Sequence, residues 1–388
     1  MSLEVVSLGC RLNLSESERL RAMLPQDEDL VVINSCAVTA EAVRQTRQAI
    51  RKARREHPDA RLLVTGCAAE VERAALAQMP EVDGLVAKLD PRSWNVAATP
   101  PRPDLSRHSR AFIAVQNGCD HACTFCVIPQ GRGSSRSLAL GPVLQEIDRS
   151  VQRGAGEVVL TGVDLTSWGH DLSGAPRLGT LVAAILASFP GLQRLRLSSL
   201  DGIEIDPLLF ELIASETRVM PHVHLSLQHG SDLILKRMKR RHLRRDAVGL
   251  VQKLKKRRAD IAIGADLIAG FPTESEAHHA DSLSIIAELG VVHGHVFPYS
   301  PRPSTPAARM PQLAPQLIKA RAAELRSAVA AQRAAWLGAQ LGAPLSVLAE
   351  RDGTGHAPNF ARVQLPPATP AGSIVTVTPT RIIEGLLA

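Results

Sequence analysis

The chain has 388 residues, enough for two or three domains around a large core. With 45% hydrophobic and 21% charged residues and no apolar run of membrane-spanning length, the composition is globular, and a cytoplasmic protein without membrane contact is expected. A net charge of +7 favours a polyanionic partner, whereas 3% aromatic residues argue against base stacking on an aromatic platform.

From the N-terminus, strand-prone runs alternate with helical ones. Glu4–Leu8 reads as a strand ending at Gly9-Cys10, followed by a helix over Leu14–Leu24 with Ser15 as a candidate cap. Leu30–Asn34 is a second strand, ending at Ser35-Cys36, and Thr39–Glu56 an amphipathic helix. Arg61–Thr65 is a third strand, ending at Gly66-Cys67. Alternation of this kind predicts a parallel sheet, whose ligands gather beyond the carboxyl ends of its strands. Cys10, Cys36 and Cys67 each follow a strand end, so all three are expected on one rim, where they would share a metal centre. Six cysteines in a cytoplasmic chain of this size are not expected to form disulfides.

The Pro-rich stretch Ala97–Asp104 reads as a linker. Beyond it, six further strands are expected at Phe112–Gln116, Glu157–Thr161, Arg194–Ser198, His222–Leu227, Ile261–Leu267 and His293–Phe297, with helices including Pro142–Arg153, Gly179–Ser188 and Glu274–Leu289. Six such units predict an open partial barrel with its chemistry at the carboxyl ends of the strands. There, Cys119-Asp-His-Ala-Cys123-Thr-Phe-Cys126 offers three thiols within eight residues. Thiolates favour zinc or iron–sulfur clusters, and both normally take four ligands. A fourth ligand from His121 would crowd the loop. A [4Fe–4S] cluster with one open iron is therefore the better reading, and a structural zinc loop the alternative.

The basic runs Lys236–His242, Arg244-Arg245 and Lys253–Arg258 read equally as phosphate-steering or as solvated helix faces. Gly131-Arg-Gly133 does not match a dinucleotide fingerprint and is expected to let the chain turn near the cluster. Gln312–Leu341 is helical in pattern. After it, Pro344–Glu350, Phe360–Leu365 and Ser373–Ile383 read as short strands.

Several of these motifs together resemble one family. Leu8-Gly-Cys-Arg-Leu-Asn13, Asn34-Ser-Cys-Ala-Val-Thr39 and Thr65-Gly-Cys67 resemble the N-terminal domain of the methylthiotransferases. Asn117–His121, Cys126-Val-Ile-Pro129 and Gly131–Ser137 are similar to their radical S-adenosylmethionine (SAM) loop. The resemblance extends from about residue 3 to about residue 310 and is greatest to the threonylcarbamoyladenosine tRNA branch. It departs at Thr273, where the family usually has Gly, and at His278 and His279, where acidic residues are usual.

The resemblance implies an α/β protein with a methylthiotransferase domain at 1–95, a linker at 96–108 and a radical SAM core of (β/α)6 type at 109–310. A helical connection at 311–342 and a reduced RNA-binding β domain (TRAM) at 343–388 would follow. It implies two [4Fe–4S] clusters, an auxiliary one on Cys10, Cys36 and Cys67 and a SAM-binding one on Cys119, Cys123 and Cys126. The second would deliver an electron to SAM. The resulting 5′-deoxyadenosyl radical would take hydrogen from carbon 2 of a modified adenosine beside the tRNA anticodon. Sulfur held at the auxiliary cluster would be inserted there, and a second SAM would supply methyl. Such an enzyme needs an external electron donor and a sulfur donor. Phe125 is the candidate to stack on adenine. Glu157 for the SAM ammonium, Asp164 for a ribose hydroxyl, and Gln228 and Asp266 at equivalent strand ends are the other cofactor-binding candidates. Competing functions are methylthiolation of isopentenyladenosine in tRNA or of a ribosomal-protein aspartate, and a non-catalytic iron–sulfur redox sensor that binds nucleic acid.

Overall fold

A computed structural model describes residues 3–24, 29–86 and 109–388; the expected linker at 96–108 lies outside them. Strands β1 (Leu3–Ser7), β2 (Leu30–Ser35), β3 (Arg61–Gly66) and β4 (Gly84–Leu85) pair in that order as a parallel sheet. Every residue of β2 is buried, as a strand covered on both faces requires. Helix Ala40–Glu56 is capped by Thr39, whose side chain accepts from Ala42 N, and it buries Val43, Ile50 and Ala53. The first helix starts earlier than expected, at Arg11, with Cys10 at its N-cap. Ser15 therefore lies inside the helix and caps nothing.

The ribbon β6 (Gln116–Asn117) with β7 (Arg136–Ser137) brackets the cysteine loop; before it comes β5 (Arg110–Ala114). Strand β5 pairs with β8 (Glu157–Thr161) and β8 with β9 (Leu195–Leu197), all parallel. A second parallel set runs β10 (His222–Gln228), β11 (Ala262–Ala269) and β12 (Val291–Pro298). Bridges Leu195–Val219 and Leu200–Leu225 join the two sets, giving the expected open six-stranded barrel.

Strand alternation tells inside from outside. Val158, Leu160, Leu195, Leu197, Val223, Leu225, Leu227, Ile263, Ala265 and Leu267 all belong to the apolar layer shared with the helices. Their alternates, Glu157, Arg196, His222, His224, Gly264 and Asp266, must face the lumen. Charged and imidazole side chains therefore line much of the lumen, starting from its floor at the amino ends of the strands, with Val159 and Ile268 among them.

Helix Pro315–Gly338 packs along β12 and leads to a six-stranded sheet. Its strands are β13 (Leu345–Ala349), β14 (Thr354–His356), β15 (Arg362–Gln364), β16 (Ile374–Val377), β17 (Ile382–Ile383) and β18 (Leu386–Leu387), in the order β16-β13-β14-β15-β18-β17. The run read as one strand over Ser373–Ile383 is two, β16 and β17, and β14 and β18, at three and two residues, are too short to show a strand period.

This sheet forms the floor of the barrel. Phe360, held at φ +70, stacks on His222 (ring centroids 5.0 Å apart) and on His356 (4.5 Å), with the Arg196 guanidinium carbon 4.7 Å from its centroid. Arg194 donates to Ser346 O (2.8 Å) and His356 O (3.1 Å), and Arg110 meets Glu350 at 2.7 Å.

Candidate metal centres at the mouth of the barrel

The three dispersed cysteines do gather at the carboxyl ends of their strands. Gly9 has φ +96, and a Cβ there would fall 2.7 Å from Cβ and 2.8 Å from Sγ of Cys36, so only glycine lets the Cys10 loop approach Cys36. Cys67 starts the short helix Cys67–Val71 immediately after β3. The Cys36 thiol is pushed up by burial and by the proximity of Cys10 and Cys67, the opposing pull of the Val38 amide notwithstanding. Added positive charge, as a metal centre provides, would favour the Cys36 thiolate.

The second trio lies in the loop between β6 and β7. Burial pushes Cys119 and Cys126 each up to about 12. The His121 amide donates to Cys119 Sγ and the Ile128 amide to Cys126 Sγ, both at 3.4 Å. Arg240 Nη1 lies 3.7 Å from Cys123 Sγ. All six cysteines are free thiols, so the donor set suits two sulfur-ligated centres.

The segment that follows the second trio packs against Cys67 of the first. A Cβ on Gly131, in the helix Ile128–Arg132 that follows Cys126, would sit 3.4 Å from Cys67 O and 3.5 Å from Cys67 Cβ. The two domains thus meet where their cysteines lie.

Among the remaining candidates, Asp164 reaches the mouth. Its Oδ2 lies 3.9 Å from Cys119 Sγ and 2.8 Å from His121 Nε2. His121 is accordingly raised to about 10, by hydrogen bonds to Asp164 and then Glu204. Its ring thus faces carboxylates. Phe125 is half-buried and meets Phe271 edge-on, 6.5 Å between centroids. Gln228 ends β10 at φ +68, beyond a register shift against β11.

Two expectations need correcting. Glu157 is the first residue of β8, fully buried on the lumen floor and bidentate to Arg196. Burial alone would raise its pKa, but Arg196 overrides that and holds the carboxyl below its ordinary value. Four residues of strand separate it from the mouth, roughly 13 Å at the rise of a β-strand. It forms a buried ion pair on the floor, at the amino end of its strand and not at the carboxyl end where the cysteine loop lies. Asp266 is not at a strand end either. It lies three residues short of the end of β11, and its Oδ1 accepts from His224 Nε2 (3.0 Å) and His295 Nδ1 (3.1 Å).

The basic run Lys236–His242 is only partly a solvated face: Lys236, Lys239 and Arg241 are exposed, whereas Arg237, Arg240 and His242 turn inward. Arg240 donates to Asp201 (2.9 Å) and Ser226 O (2.9 Å), and Arg241 meets Glu204 at 2.8 Å. Arg237 donates to the hydroxyl of Thr273 at 2.7 Å, bracing a non-glycine residue at φ +68. In the run Lys253–Arg258, Lys255 donates to Leu289 O and Arg258 to the carbonyls of Ile213, Glu216 and Val219, while Lys253, Lys256 and Arg257 stay exposed. His279 is buried beside Glu274 and Glu324. Sequence reasoning had not singled out Arg132, Asn13 or Arg240 as site residues. All three stand inside motifs read as turns, resemblance or charge runs.

The radical SAM superfamily model matches residues 113–286, and the model described as uncharacterized protein family UPF0004 matches residues 2–87. The chain is 42% identical to the threonylcarbamoyladenosine tRNA methylthiotransferase MtaB of Rickettsia prowazekii, over 99% of this chain and 96% of that protein. It is 34% identical to MtaB of Aquifex aeolicus, over 82% and 85%. It is 32% identical to a tRNA-2-methylthio-N(6)-dimethylallyladenosine synthase of Cereibacter sphaeroides, over 90% and 87%. Among solved structures, the radical SAM methyltransferase TsrM of Kitasatospora setae superposes with a TM-score of 0.54 at 17% identity, covering 77% of this chain and 69% of that one, a likeness of fold.

Proposed function

This chain belongs to the radical SAM methylthiotransferase family, and from that premise we propose that it inserts sulfur and a methyl group at carbon 2 of N6-threonylcarbamoyladenosine next to the tRNA anticodon. The family implies a [4Fe–4S] cluster and SAM. The finer reading is two clusters, one on Cys119, Cys123 and Cys126 and one on Cys10, Cys36 and Cys67. When bound, the first cluster and SAM supply an electron and a carbon radical strong enough to break an unactivated aromatic C–H bond, beyond the reach of acid–base chemistry.

The chain's own residues do the rest. Asp164, beside Cys119, offers a carboxylate to a ribose hydroxyl of SAM, and Arg240, beside Cys123, offers a guanidinium to its carboxylate. Phe125 offers a ring to adenine. Gln228 lies at the same rim. The apposition of the cysteine trios across Cys67 and Gly131 carries the reading, since sulfur held at one centre must reach a radical made at the other. An electron donor, a sulfur donor and a cytoplasmic setting complete the proposal; no helix among the described residues is long and apolar enough to cross a membrane.

The test is iron and sulfide quantitation on the reconstituted protein, a 5′-deoxyadenosine assay, and nucleoside mass spectrometry of tRNA bearing either modified adenosine. The expected outcome is a 2-methylthio product from threonylcarbamoyladenosine alone. Product from isopentenyladenosine alone would transfer the reading to the other tRNA branch. A protein that binds iron and nucleic acid but never cleaves SAM would be the redox sensor.

A further inference from the structure

We infer that Arg132 is a positioning residue: acting through Asn13 and Asn117, it holds the two cysteine cradles in register and so couples SAM cleavage to sulfur insertion. The inference rests on the function proposed above.

Arg132 is buried, 5% exposed, six residues past Cys126. Its Nη1 donates to Glu16 Oε1 (3.0 Å) and Asn117 Oδ1 (2.8 Å), and its Nη2 donates to Asn13 Oδ1. Glu16 is the counter-ion, four-percent exposed in its side chain, from a different domain. Each asparagine then passes the contact to a cysteine loop. Asn13 Nδ2 donates to Leu8 O (2.7 Å), just before Gly9-Cys10, and to Ser35 O (3.0 Å), just before Cys36. Asn34 Nδ2 donates back to Asn13 O at 2.9 Å. On the barrel side, Asn117 Oδ1 also accepts from Gly118 N (2.9 Å), the residue before Cys119. The helix carrying Arg132 lies against Cys67 through Gly131. One guanidinium is therefore tied to the loops of Cys10, Cys36 and Cys119 and stands beside that of Cys67.

The chemistry requires arginine. A planar fork satisfies acceptors in two directions at fixed angles, whereas an ammonium on a flexible stem does not. Other cross-domain contacts attach elsewhere: Arg19 to Glu146 and Arg302 to Glu72 (2.8 Å). Loss of the Arg132 fork therefore leaves the domains docked and loosens the spacing of the cradles. A shift of about 1 Å between reacting groups costs on the order of a hundredfold in rate.

The test compares wild type, Arg132→Lys and Asn13→Asp after reconstitution with iron and sulfide. The readouts are iron content, 5′-deoxyadenosine formed, methylthio product per 5′-deoxyadenosine, and the magnetic interaction between the two reduced clusters by electron paramagnetic resonance. Arg132→Lys is expected to keep its iron and cleave SAM within about threefold of wild type, while product per cleavage falls at least about tenfold and the magnetic interaction changes. Asn13→Asp keeps the acceptor toward Arg132 but loses both donors to the cysteine loops; it is expected to lose about half the iron, that of the auxiliary centre. A wild-type coupling ratio and spectrum in Arg132→Lys overturn the inference. So does loss of all iron with a lowered melting temperature, which would make Arg132 a fold residue only. Should wild type itself yield no methylthio product, the proposed function fails instead.

Discussion

Arg196 grips Glu157 across the floor of the barrel, Nε to Oε1 at 2.7 Å and Nη2 to Oε2 at 2.9 Å, with neither side chain exposed to solvent. A pair so placed is sensitive to loss of one member, because the other is left charged and buried. Among the described residues, the Nη1 of Arg196 already lacks a hydrogen-bond partner. Glu157→Ala is therefore expected to cost about 3–5 kcal/mol, read from a shifted denaturation midpoint. SAM binding by the folded fraction should be unchanged. A loss of SAM affinity without loss of stability would return Glu157 to the cofactor site.

Phe360 is the aromatic contact that seats the C-terminal sheet on that floor, beside the hydrogen bonds of Arg194 and the ion pair of Arg110 with Glu350. Phe360→Ala removes the stack on His222 and His356 and the contact with Arg196. It is expected to cost about 3 kcal/mol. Limited proteolysis should then cut near Leu341–Pro344, between the long helix and β13, faster than in wild type. Unchanged cleavage would mean that Arg194 and Arg110 hold the domain without the ring.

Two buried histidines at the same floor make its stability depend on pH. His293 is lowered to about 3 by burial and then by Arg333, and His222 is lowered well below 6.5 by burial, His293 and Arg196. Below about 6.5 the unfolded chain takes up protons that the folded chain refuses, so unfolding gains up to about 1.4 kcal/mol per pH unit for each group. Stability is fully present above pH 6.5 and declines as the pH falls toward 3. His222→Gln should flatten that decline in a urea series run between pH 7 and pH 5. A slope identical to wild type would remove His222 as its source.

The two cysteine trios are expected to fail differently. Cys123→Ala should abolish 5′-deoxyadenosine formation. Cys36→Ala should leave it measurable while methylthio product disappears from the tRNA. Equal loss of both activities in both variants would contradict the division of labour.

Much of the protein is legible in its sequence alone. The six cysteines, the strand–helix alternation and the six barrel strands follow from local spacing and from periodicities of two and 3.6, which a short window contains. Boundaries shifted by only a few residues, as at Arg11 and Leu140. The cysteine loop Cys119–Cys126 carries its ligand spacing within eight residues and needs no partner to be recognised.

What spacing could not settle was decided by contacts between distant residues. Glu157 and Asp266 look alike in sequence as acids near strand ends, yet one lies on the floor with Arg196 and the other between His224 and His295. Arg240 and Arg132 read as surface charge and turn, yet both turn inward, because acceptors 14 to 119 residues away complete their hydrogen bonds. Phe360 looked like the start of a strand and proved to be the stopper of a barrel whose strands end some sixty residues earlier. A polar side chain's role depends on which groups the fold brings within 3 Å of it, and only the folded chain determines that.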